Sequence, residues 1–474
     1  MDKSKNMAEI KNKITFALFF GNRGFFPGGL IAGARKEVAE AVKRAGYDYI
    51  MTDESETRYG AVETVAEGEK YAAFLKKNEG KYDGVILCLP NFGDENGAAA
   101  ALKECGKPIL LHACSDRTGK MDFANRRDSM CGKIAMANVL RQHKIKFTHF
   151  RPFTADAASP EFLGHIERFA QICRIVRGMK SFTVAAVGAR TTAFKTVRCD
   201  EIALQNNGVN VETIDMSDFF SRMREIDGAR LPDKKKALLA TAVFSGYPEV
   251  KLDNIARVGL ALDDIITEYR AGAAAVRCWD ELQKQFGVTP CAAFGEMIGR
   301  GIPAACESDI TNAVAMRAVM LAADAPAMML DINNNYDGEQ DKAVLFHCGP
   351  VPLALMKGKG RIEEHLMFEK TYGGGCGVGI NKGEIGEYDV TYAGARTENG
   401  KIHMYVGNAR LTGDKLDGAF FGVGAVMETE RMQDLLDHIV DNGFRHHTCL
   451  VKGHYAGSVG EALSKYLGYE VAVF

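Results

Sequence analysis

Short apolar runs alternate with helix-like stretches in the first third of the chain. The run ITFALFF (14–20) predicts a strand, and the segment 34–46 has apolar residues at helical spacing and ends in Gly46, which suits a helix C-cap. Apolar runs at 82–90 and 107–114 predict two further strands. Strands and helices in this order favour a parallel sheet that is covered by helices.

The same pattern starts again at SFTVAAVG (181–188), after a helix that the spacing predicts over 161–179. A helix over 201–208 and a strand over 209–216 follow. These elements predict a second α/β domain. No GxGxxG fingerprint follows its first strand and no Walker loop occurs in the chain, so we expect no nucleotide cofactor.

The last third of the chain changes character. Residues 383–408 alternate apolar and polar positions around an Asn399-Gly400 turn, which predicts antiparallel strands. A helix over 460–468 and a strand over 469–474 complete the pattern. The predicted fold class is α/β, with two Rossmann-like or flavodoxin-like parallel-sheet domains and a β-rich, antiparallel barrel-like C-terminal domain. The predicted domain bounds are 1–177, 178–325 and 326–474.

Composition narrows the range of functions. A hydrophobic content of 46%, a charged content of 25% and a net charge of −2 are those of an ordinary globular protein, and they predict no nucleic-acid or membrane partner. The charged N-terminus lacks a secretory signal, so we expect a cytoplasmic protein. The 12 cysteines include no CxxC pair, which argues against a disulfide scaffold, a zinc finger or an Fe–S cluster.

Four segments carry side chains of the metal-ligand type at the edges of apolar runs. They are GIPAACESDITNAV with Glu307, APAMMLDINNN with Asp331, KAVLFHCGP with His347, and FRHHTCLV with His446 and His447. A parallel α/β sheet brings strand-end side chains together in a crevice at its carboxyl edge. Two carboxylates with one or two imidazoles suit Mn²⁺, Co²⁺, Mg²⁺ or Fe²⁺.

Each of these residues also has a structural interpretation. Asp331 is the type of residue that caps a helix or turn, and Glu307 is placed to cap the helix that follows it. A single histidine such as His347 is more often a hydrogen-bonded interior residue than a ligand. Neighbouring side chains in a strand point to opposite faces, so we expect only one of His446 and His447 to reach a given site.

The run CWDELQKQFGVTPCAAFGEMIGRGIPAACESDITNAV, followed by LDINNN and VLFHCG, resembles the L-fucose isomerase and L-arabinose isomerase superfamily. The resemblance extends to RRDSMCG, GARTTAFKTVRCDE and HHTCLVKG, so it covers most of the chain in the same order. It implies two α/β domains with a β-rich C-terminal domain. It also implies an intramolecular oxidoreductase that interconverts an aldose and a ketose through a cis-enediol.

The resemblance assigns roles to individual residues. It implies that Glu307 and Asp331 are metal ligands and the catalytic acid and base, and that His447 is the last ligand. His347 matches a ligand of the arabinose enzymes. The implied cofactor is Mn²⁺, with Co²⁺ or Mg²⁺ as alternatives and no nucleotide.

Substrate contacts are expected from a different set of residues. They are Arg23 after the first strand, Arg127 and Asp128 in the RRDSMCG segment, Arg190 in the second domain and His446. The alternative for the arginines is a solvated surface position. If Arg23 and Arg127 enter the site, their guanidinium groups would suit the sulfonate of a sulfosugar such as sulfoquinovose, an isomerase substrate in relatives of the superfamily.

The sequence does not identify the sugar substrate, which is a pentose, a 6-deoxyhexose or a sulfosugar. The family's members form homotrimers or homohexamers in which the N-terminal domain of one subunit covers the site of another, and we expect the same here. Two other functions compete with the isomerase: a non-catalytic sugar-binding protein, and a nucleotide-dependent oxidoreductase built on the two α/β domains.

Overall fold

The computed structural model describes residues 13–417 and 420–474. Contacts divide the chain into two compact units: the N-terminal unit, Ile10–Arg177, and the C-terminal unit, which includes Gly178–Phe474. The division of the C-terminal unit at residue 325 stays a prediction. Within the described ranges, no helix has both the length and the apolar content that crossing a bilayer requires.

The N-terminal unit contains a parallel sheet with the strand order β2-β1-β3-β4. Its strands are β1 (Thr15–Phe20), β2 (Asp48–Met51), β3 (Gly84–Leu89) and β4 (Ile109–Ala113). Its helices are α1 (Leu30–Arg44), α2 (Val65–Lys77), α3 (Glu95–Leu102), α4 (Ser129–Gln142) and α5 (Pro160–Met179). Along β1, Phe16 and Leu18 enter one apolar core while Ala17 and Phe19 enter another. This alternation shows a sheet buried on both faces, as the continuous apolar runs predict.

The C-terminal unit begins with a second parallel sheet, whose strand order is β6-β5-β8-β9. The strands of this region are β5 (Phe182–Val187), β6 (Val209–Ile214), β7 (Ala242–Phe244), β8 (Ala273–Val276) and β9 (Ala304–Ala305). The helices are α6 (Glu201–Asn206), α7 (Met216–Glu225), α8 (Leu231–Thr241), α9 (Glu249–Glu268), α10 (Glu281–Phe286), α11 (Cys291–Gly299) and α12 (Ile310–Ala323). The prediction of two parallel α/β sheets is therefore confirmed.

The remaining strands form a mixed sheet with the order β18-β15-β14-β17-β10-β11-β16-β13-β12-β7. They are β10 (Ala327–Tyr336), β11 (Glu339–His347), β12 (Gly360–Glu364), β13 (Val378–Glu384), β14 (Tyr388–Glu398), β15 (Lys401–Thr412), β16 (Val423–Glu428), β17 (His447–Lys452) and β18 (Glu470–Val473). The helices here are α13 (Leu366–Tyr372), α14 (Met432–Asp441) and α15 (Ala456–Glu461). Strand β7 comes from the middle of the chain and pairs in parallel with β12 at the edge of this sheet.

A further pairing between β15 and β16 closes part of this sheet into an antiparallel barrel. The barrel runs through β15, β14, β17, β10, β11 and β16, and each neighbouring pair is antiparallel. Its core contains the buried side chains of Met328, Leu330, Tyr392, Tyr405 and Leu450. The predicted β-rich, barrel-like region is confirmed.

The predicted turn between β14 and β15 is also confirmed. Asn399 and Gly400 both have positive φ angles, 51° and 74°, as a two-residue type I′ hairpin requires. The strand-end interpretation of Asp331 was wrong, because β10 continues five residues beyond it to Tyr336 by pairing with β11. Asp331 and His347 therefore lie in the antiparallel barrel, and the carboxyl-edge rule for parallel sheets does not apply to them.

Candidate active site

Glu307 lies two residues after the end of β9, in a segment with an unusual backbone. Glu307 and Ser308 have φ angles of 62° and 58°, a left-handed conformation that costs a residue with a side chain about 1–2 kcal/mol. Such strain persists at functional sites when the surrounding structure holds it in place. The indole Nε1 of Trp279 donates a hydrogen bond to Glu307 Oε1 over 3.0 Å. The hydrogen bond with Trp279 therefore restrains the position of the Glu307 carboxylate.

Strand pairing brings the next two residues together. In the antiparallel register of β10 and β17, Asp331 lies directly opposite His447. The Nε2 atom of His447 is 3.5 Å from Asp331 Oδ1 and 2.8 Å from Glu307 Oε2. Burial raises the pKa of Glu307, but the contacts with His447, His347 and Trp279 together outweigh burial, and the pKa lies below its ordinary value of 4.5. Glu307 is therefore ionised at neutral pH.

Both histidines of the FRHHTCLV segment reach this position, so the expectation that only one would do so was wrong. The Nε2 atom of His446 lies 3.8 Å from Asp331 Oδ1, and its ring centroid is 4.6 Å from that of His447. His446 precedes the first residue of β17, so strand alternation does not separate the two side chains. Burial lowers the pKa of His446, which favours its neutral form.

Asp309 is a member of this cluster that sequence reasoning missed. Its Oδ2 lies 2.8 Å from Nδ1 of His447, and its Oδ1 accepts a hydrogen bond from Arg445 Nη1 over 2.5 Å. Oδ1 also accepts from the backbone N–H of Asn312, so Asp309 is the N-cap of α12. The only sequence signal is an aspartate before a helix, which is the ordinary signature of a cap.

The pair formed by Asp309 and His447 is buried completely. Burial alone would lower the pKa of His447, but the contacts with Asp309 and Glu307 raise it to about 10. Carboxylate contacts of this kind fix the orientation of an imidazole, and they recur behind histidines that bind metal ions through the other ring nitrogen. The structure therefore leaves Nε2 of His447 directed toward Glu307 and Asp331.

His347 ends β11 and brings a third imidazole to the cluster. Its Nδ1 accepts a hydrogen bond from the backbone N–H of Cys348 over 2.9 Å. A neutral ring with this bond carries its hydrogen on Nε2, which makes Nε2 a donor. For Nε2 to bind a cation, the hydrogen has to move to Nδ1 and the Cys348 N–H has to lose its acceptor. The hydrogen bond thus favours contact between His347 and a substrate oxygen.

The donor atoms of the cluster fit a divalent cation. The ligand atoms of Glu307, His347 and His447 lie within 4.8 Å of one another, and so do those of Asp331, His446 and His447. Oδ1 of Asp331 and the Nε2 atoms of His347 and His447 are buried without a hydrogen bond, because the short contact of His447 with Glu307 lacks hydrogen-bond geometry. Mixed oxygen and nitrogen donors of this kind suit Mn²⁺, Co²⁺ or Mg²⁺.

A cavity of about 320 Å³ borders the cluster, with Glu307 and His347 on its wall. This volume is at the lower end of the range for small-molecule sites. Trp279, Phe368 and Tyr372 supply flat apolar surfaces of the type that stack on sugar rings. The remaining lining residues include four cysteines, which are Cys278, Cys291, Cys306 and Cys348.

The residues expected to contact substrate lie in different parts of the structure. In the N-terminal unit, Arg23 pairs with Glu95 and its guanidinium lies 4.3 Å from the ring centre of Phe92. Arg127 donates from Nη1 to the carbonyl of Pro90 over 2.8 Å. Asp128 precedes α4 with a φ of 50° and pairs with Arg126 over 2.6 Å. Their role toward a substrate stays a prediction.

Arg190 lies in the C-terminal unit, in the segment after β5. Its Nη1 donates to the carbonyl oxygens of Thr191 and Thr192 over 3.0 and 3.3 Å. The hydroxyl of Thr191 contacts the carbonyl of Trp279 over 3.4 Å, so this segment adjoins the candidate site. Phe194, in the same segment, has its ring centre 5.7 Å from that of His447.

Two family models match the chain on either side of the central region. Residues 17–180 match the N-terminal domain of fucose/sulfoquinovose isomerases, and residues 345–474 match the C-terminal domain of L-fucose isomerases. The chain belongs to the L-fucose isomerase-like superfamily. It is accordingly a sugar isomerase that interconverts an aldose and a ketose.

Curated relatives extend the likeness through the central region. A sulfoquinovose isomerase from Alkalicoccus urumqiensis is 22% identical over 82% of this chain and 86% of its own length. One from Priestia megaterium is 21% identical over 92% of this chain and 96% of its own, and one from a Clostridium species is 24% identical over 49% and 52%. A solved solute-binding protein from Actinobacillus succinogenes with bound D-allose covers 66% of this chain and 93% of that chain at 13% identity, but its TM-score of 0.17 carries no weight.

Proposed function

We propose that this sugar isomerase uses a divalent cation held by Glu307, Asp331 and His447, with Mn²⁺ as the preferred ion and without a nucleotide. The observation that supports the proposal is that two carboxylates and an oriented imidazole lie close together, and that Asp331 Oδ1 and His447 Nε2 are buried without a hydrogen bond. A cation bound there would polarise the sugar carbonyl and stabilise negative charge on its oxygen. His347, with its hydrogen on Nε2, is placed to donate to a substrate hydroxyl or carbonyl oxygen.

The two carboxylates supply the acid–base chemistry. Isomerisation removes a proton from C2 of the aldose, forms a cis-enediol and returns a proton to C1, while the hydroxyl hydrogen of C2 passes to O1. Glu307 and Asp331 are the groups that accept and return the carbon-bound proton, and Glu307 is ionised at neutral pH. Trp279 holds Glu307 in place, and Asp309 holds His447. Glu307→Gln should therefore lower kcat about 10²–10⁴-fold.

The chain's single tryptophan allows a direct test of the cation site. Trp279 is that residue, and its indole is hydrogen-bonded to Glu307. Mn²⁺ is paramagnetic and should quench the fluorescence of Trp279 in chelator-treated protein, with saturation at one ion. His447→Gln should lose the quenching, whereas His454→Gln, which changes an exposed histidine, should keep it. Quenching that persists in His447→Gln, or activity unaffected by exhaustive chelation, would contradict the proposal.

We propose sulfoquinovose as the substrate, because the curated relatives that span most of the chain are named for that activity. The matched comparison is 6-deoxyglucose, which differs from sulfoquinovose only by the sulfonate on C6. A site built for the sulfonate should prefer sulfoquinovose by about 100-fold or more in kcat/KM. L-Fucose and L-arabinose complete the panel, and a preference for either of them would replace this substrate assignment.

Arg23 is the first residue to test for sulfonate binding. In Arg23→Ala, kcat/KM for sulfoquinovose should fall, while the low activity on 6-deoxyglucose should stay the same. An equal effect on both sugars would remove Arg23 from the sulfonate site. Arg431→Ala is the control, because Arg431 is an exposed arginine that pairs with Asp434 and belongs to none of the predicted substrate contacts.

We also propose that the active form is a homo-oligomer, a trimer or a hexamer. The N-terminal unit exposes large apolar side chains in segments that follow its strands. Phe25, after β1, is 72% exposed, and Phe123, after β4, is 80% exposed. Met121 and Met130 add to the exposed apolar area at 60% and 52%. Contact with a second copy of the chain would cover such groups.

A further inference from the structure

A second cluster of metal-binding side chains lies inside the N-terminal unit. Cys88 is on β3, His112 is its direct partner on β4, and Cys114 follows β4 immediately. One ligand atom from each residue lies within 4.8 Å of those from the other two. The Sγ atoms of Cys88 and Cys114 are 3.7 Å apart. These three residues, named the thiol–imidazole cluster below, take no part in the proposed isomerase chemistry.

The thiol–imidazole cluster is buried throughout. Cys88 is 0%, His112 2% and Cys114 4% exposed, and the Nε2 atom of His112 has no hydrogen-bond partner. The imidazole ring packs on Phe162 of α5 with ring centres 4.0 Å apart. An imidazole nitrogen buried without a partner is costly, because it has lost its hydrogen bonds to water. A cation bound by the three side chains would give the imidazole a polar partner in this apolar core.

The chemistry of the donors selects the type of ligand. Two sulfurs and one imidazole nitrogen favour soft or borderline cations such as Zn²⁺ or Cu⁺ over Mg²⁺ or Mn²⁺. Two thiolates and a neutral imidazole balance the charge of Zn²⁺, so the complex would enter the apolar core without a net charge. A monovalent cation would leave an uncompensated negative charge, which the core disfavours.

We propose that Cys88, His112 and Cys114 form a zinc site in the N-terminal unit, separate from the cation site of the isomerase. Zinc sites with three protein ligands leave one coordination position open. The site joins the carboxyl ends of β3 and β4. The segments that leave these strands contact each other through Arg127, which donates to the carbonyl of Pro90. A cation here would hold both segments in place.

Cobalt substitution distinguishes this site from the isomerase site. Co²⁺ bound to thiolates has a strong charge-transfer band in the near ultraviolet, which carboxylate and imidazole ligands do not produce. Chelator-treated full-length protein should develop the band on addition of Co²⁺, and excess Zn²⁺ should abolish it. Cys88→Ala and Cys114→Ala should lose the band. Cys173→Ala should keep it, because Cys173 is a buried cysteine of the same apolar core outside the cluster.

Two further variants make the result decisive. Cys348→Ala removes a thiol at the isomerase cavity and should leave the band unchanged. His112→Gln should weaken Zn²⁺ binding at least tenfold. This variant tests the zinc site even if the cysteine variants fail to fold. The proposal is overturned if wild-type protein shows no band, if the band disappears in Cys348→Ala but not in Cys88→Ala, or if His112→Gln binds Zn²⁺ as tightly as wild type. None of these outcomes depends on isomerase activity.

Discussion

The bond between Asp309 and His447 links the helix α12 to the candidate cation site. Asp309 holds Nδ1 of His447, so Nε2 is directed at Glu307 and Asp331. The same carboxylate forms a buried ion pair with Arg445. Asp309 therefore both orients His447 and stabilises the local fold. An experiment at this position has to distinguish the two effects.

Asp309→Asn should weaken Mn²⁺ binding about 10–100-fold, because the amide holds the imidazole less firmly and lowers its basicity. Loss of the buried ion pair should also reduce the free energy of unfolding by roughly 3–5 kcal/mol. Arg445→Met breaks the same ion pair but leaves the contact between Asp309 and His447. Quenching of Trp279 fluorescence by Mn²⁺ measures the Mn²⁺ affinity of both variants. Equal Mn²⁺ affinity in Asp309→Asn and wild type would show that Asp309 has only a structural role.

The pKa of His447 predicts how cation binding depends on pH. Its pKa is about 10 in the metal-free protein, so a cation has to displace a proton at neutral pH. The affinity for Mn²⁺ should rise about tenfold per pH unit between pH 6.5 and 8.5, because one proton is released per ion. Titrations in two buffers with different ionisation enthalpies would count the released protons.

The same pKa has a consequence for stability. The folded-state pKa of His447 lies above the ordinary value of 6.5, so its contribution to the stability of the metal-free protein is complete below pH 6.5. That contribution is lost as the pH rises toward 10. An affinity for Mn²⁺ that is independent of pH would contradict the protonated state of His447.

Sequence patterns identify some residues of the candidate site but not others. Glu307, Asp331 and the two histidines stand out because carboxylates and imidazoles at the edges of apolar runs are unusual. Asp309 is hidden because an aspartate before a helix looks the same whether or not its second oxygen contacts another side chain. The contact arises only when β17 places His447 beside the start of α12, and no local pattern encodes that pairing.

At the scale of elements, the loop after β9 determines where Glu307 points. Glu307 and Ser308 share the left-handed conformation, and α12 begins two residues later, at Ile310. Glycine adopts this conformation without steric cost, so the strain at Ser308 can be measured by substitution. Glu307 itself is unsuitable for this test because its carboxylate belongs to the site.

Ser308→Gly should leave the free energy of unfolding unchanged or raise it by up to about 1 kcal/mol, because relief of strain offsets the greater freedom of the unfolded chain. Ser221→Gly is the matched control, since Ser221 is exposed within the helix α7. It should lower the free energy of unfolding by about 0.5–1 kcal/mol. Urea denaturation measures both. A loss in Ser308→Gly as large as that in Ser221→Gly would contradict a strained loop.

The elements themselves were predictable where the signal is local. The Asn399-Gly400 hairpin and the buried strands of both parallel sheets follow from periodicity and turn chemistry. The segment 332–336, which contains three consecutive asparagines, was not predictable as part of a strand, because it owes its conformation to pairing with β11. The placement of β7 beside β12 also depends on contacts between distant segments.

At the scale of the whole molecule, the fold class and the barrel-like character of the C-terminal region were predictable, but the order in which the barrel strands pair was not. The β15–β16 pairing that completes the barrel joins consecutive strands that residues 413–422 separate, so no two-residue turn indicates it. Within the barrel, β10 and β17 are direct neighbours, and these strands carry Asp331 and His447. The geometry of the candidate site depends on this pairing of distant segments and on the loop that carries Glu307, which is why isolated motifs identify its residues but not their distances.

The oligomer proposal leads to a test that uses two inactive variants. If the N-terminal unit of one chain completes the site in the C-terminal unit of another, chains with different defects should complement each other. Glu307→Gln removes the proposed acid–base carboxylate, and Arg127→Ala removes a predicted substrate contact in the N-terminal unit. Mixing the two variants under conditions that exchange subunits should restore about a quarter of wild-type activity, because random assembly gives that share of sites with both parts intact.

The control for this experiment is a mixture of Glu307→Gln and His447→Gln. Both changes lie in the C-terminal unit, so no mixed oligomer contains a site free of defects and activity should stay at the level of the separate variants. Subunit exchange is verified independently with two affinity tags. Exchange without recovery in the first mixture would show that each chain builds its own site. Recovery would show that two chains contribute residues to one site.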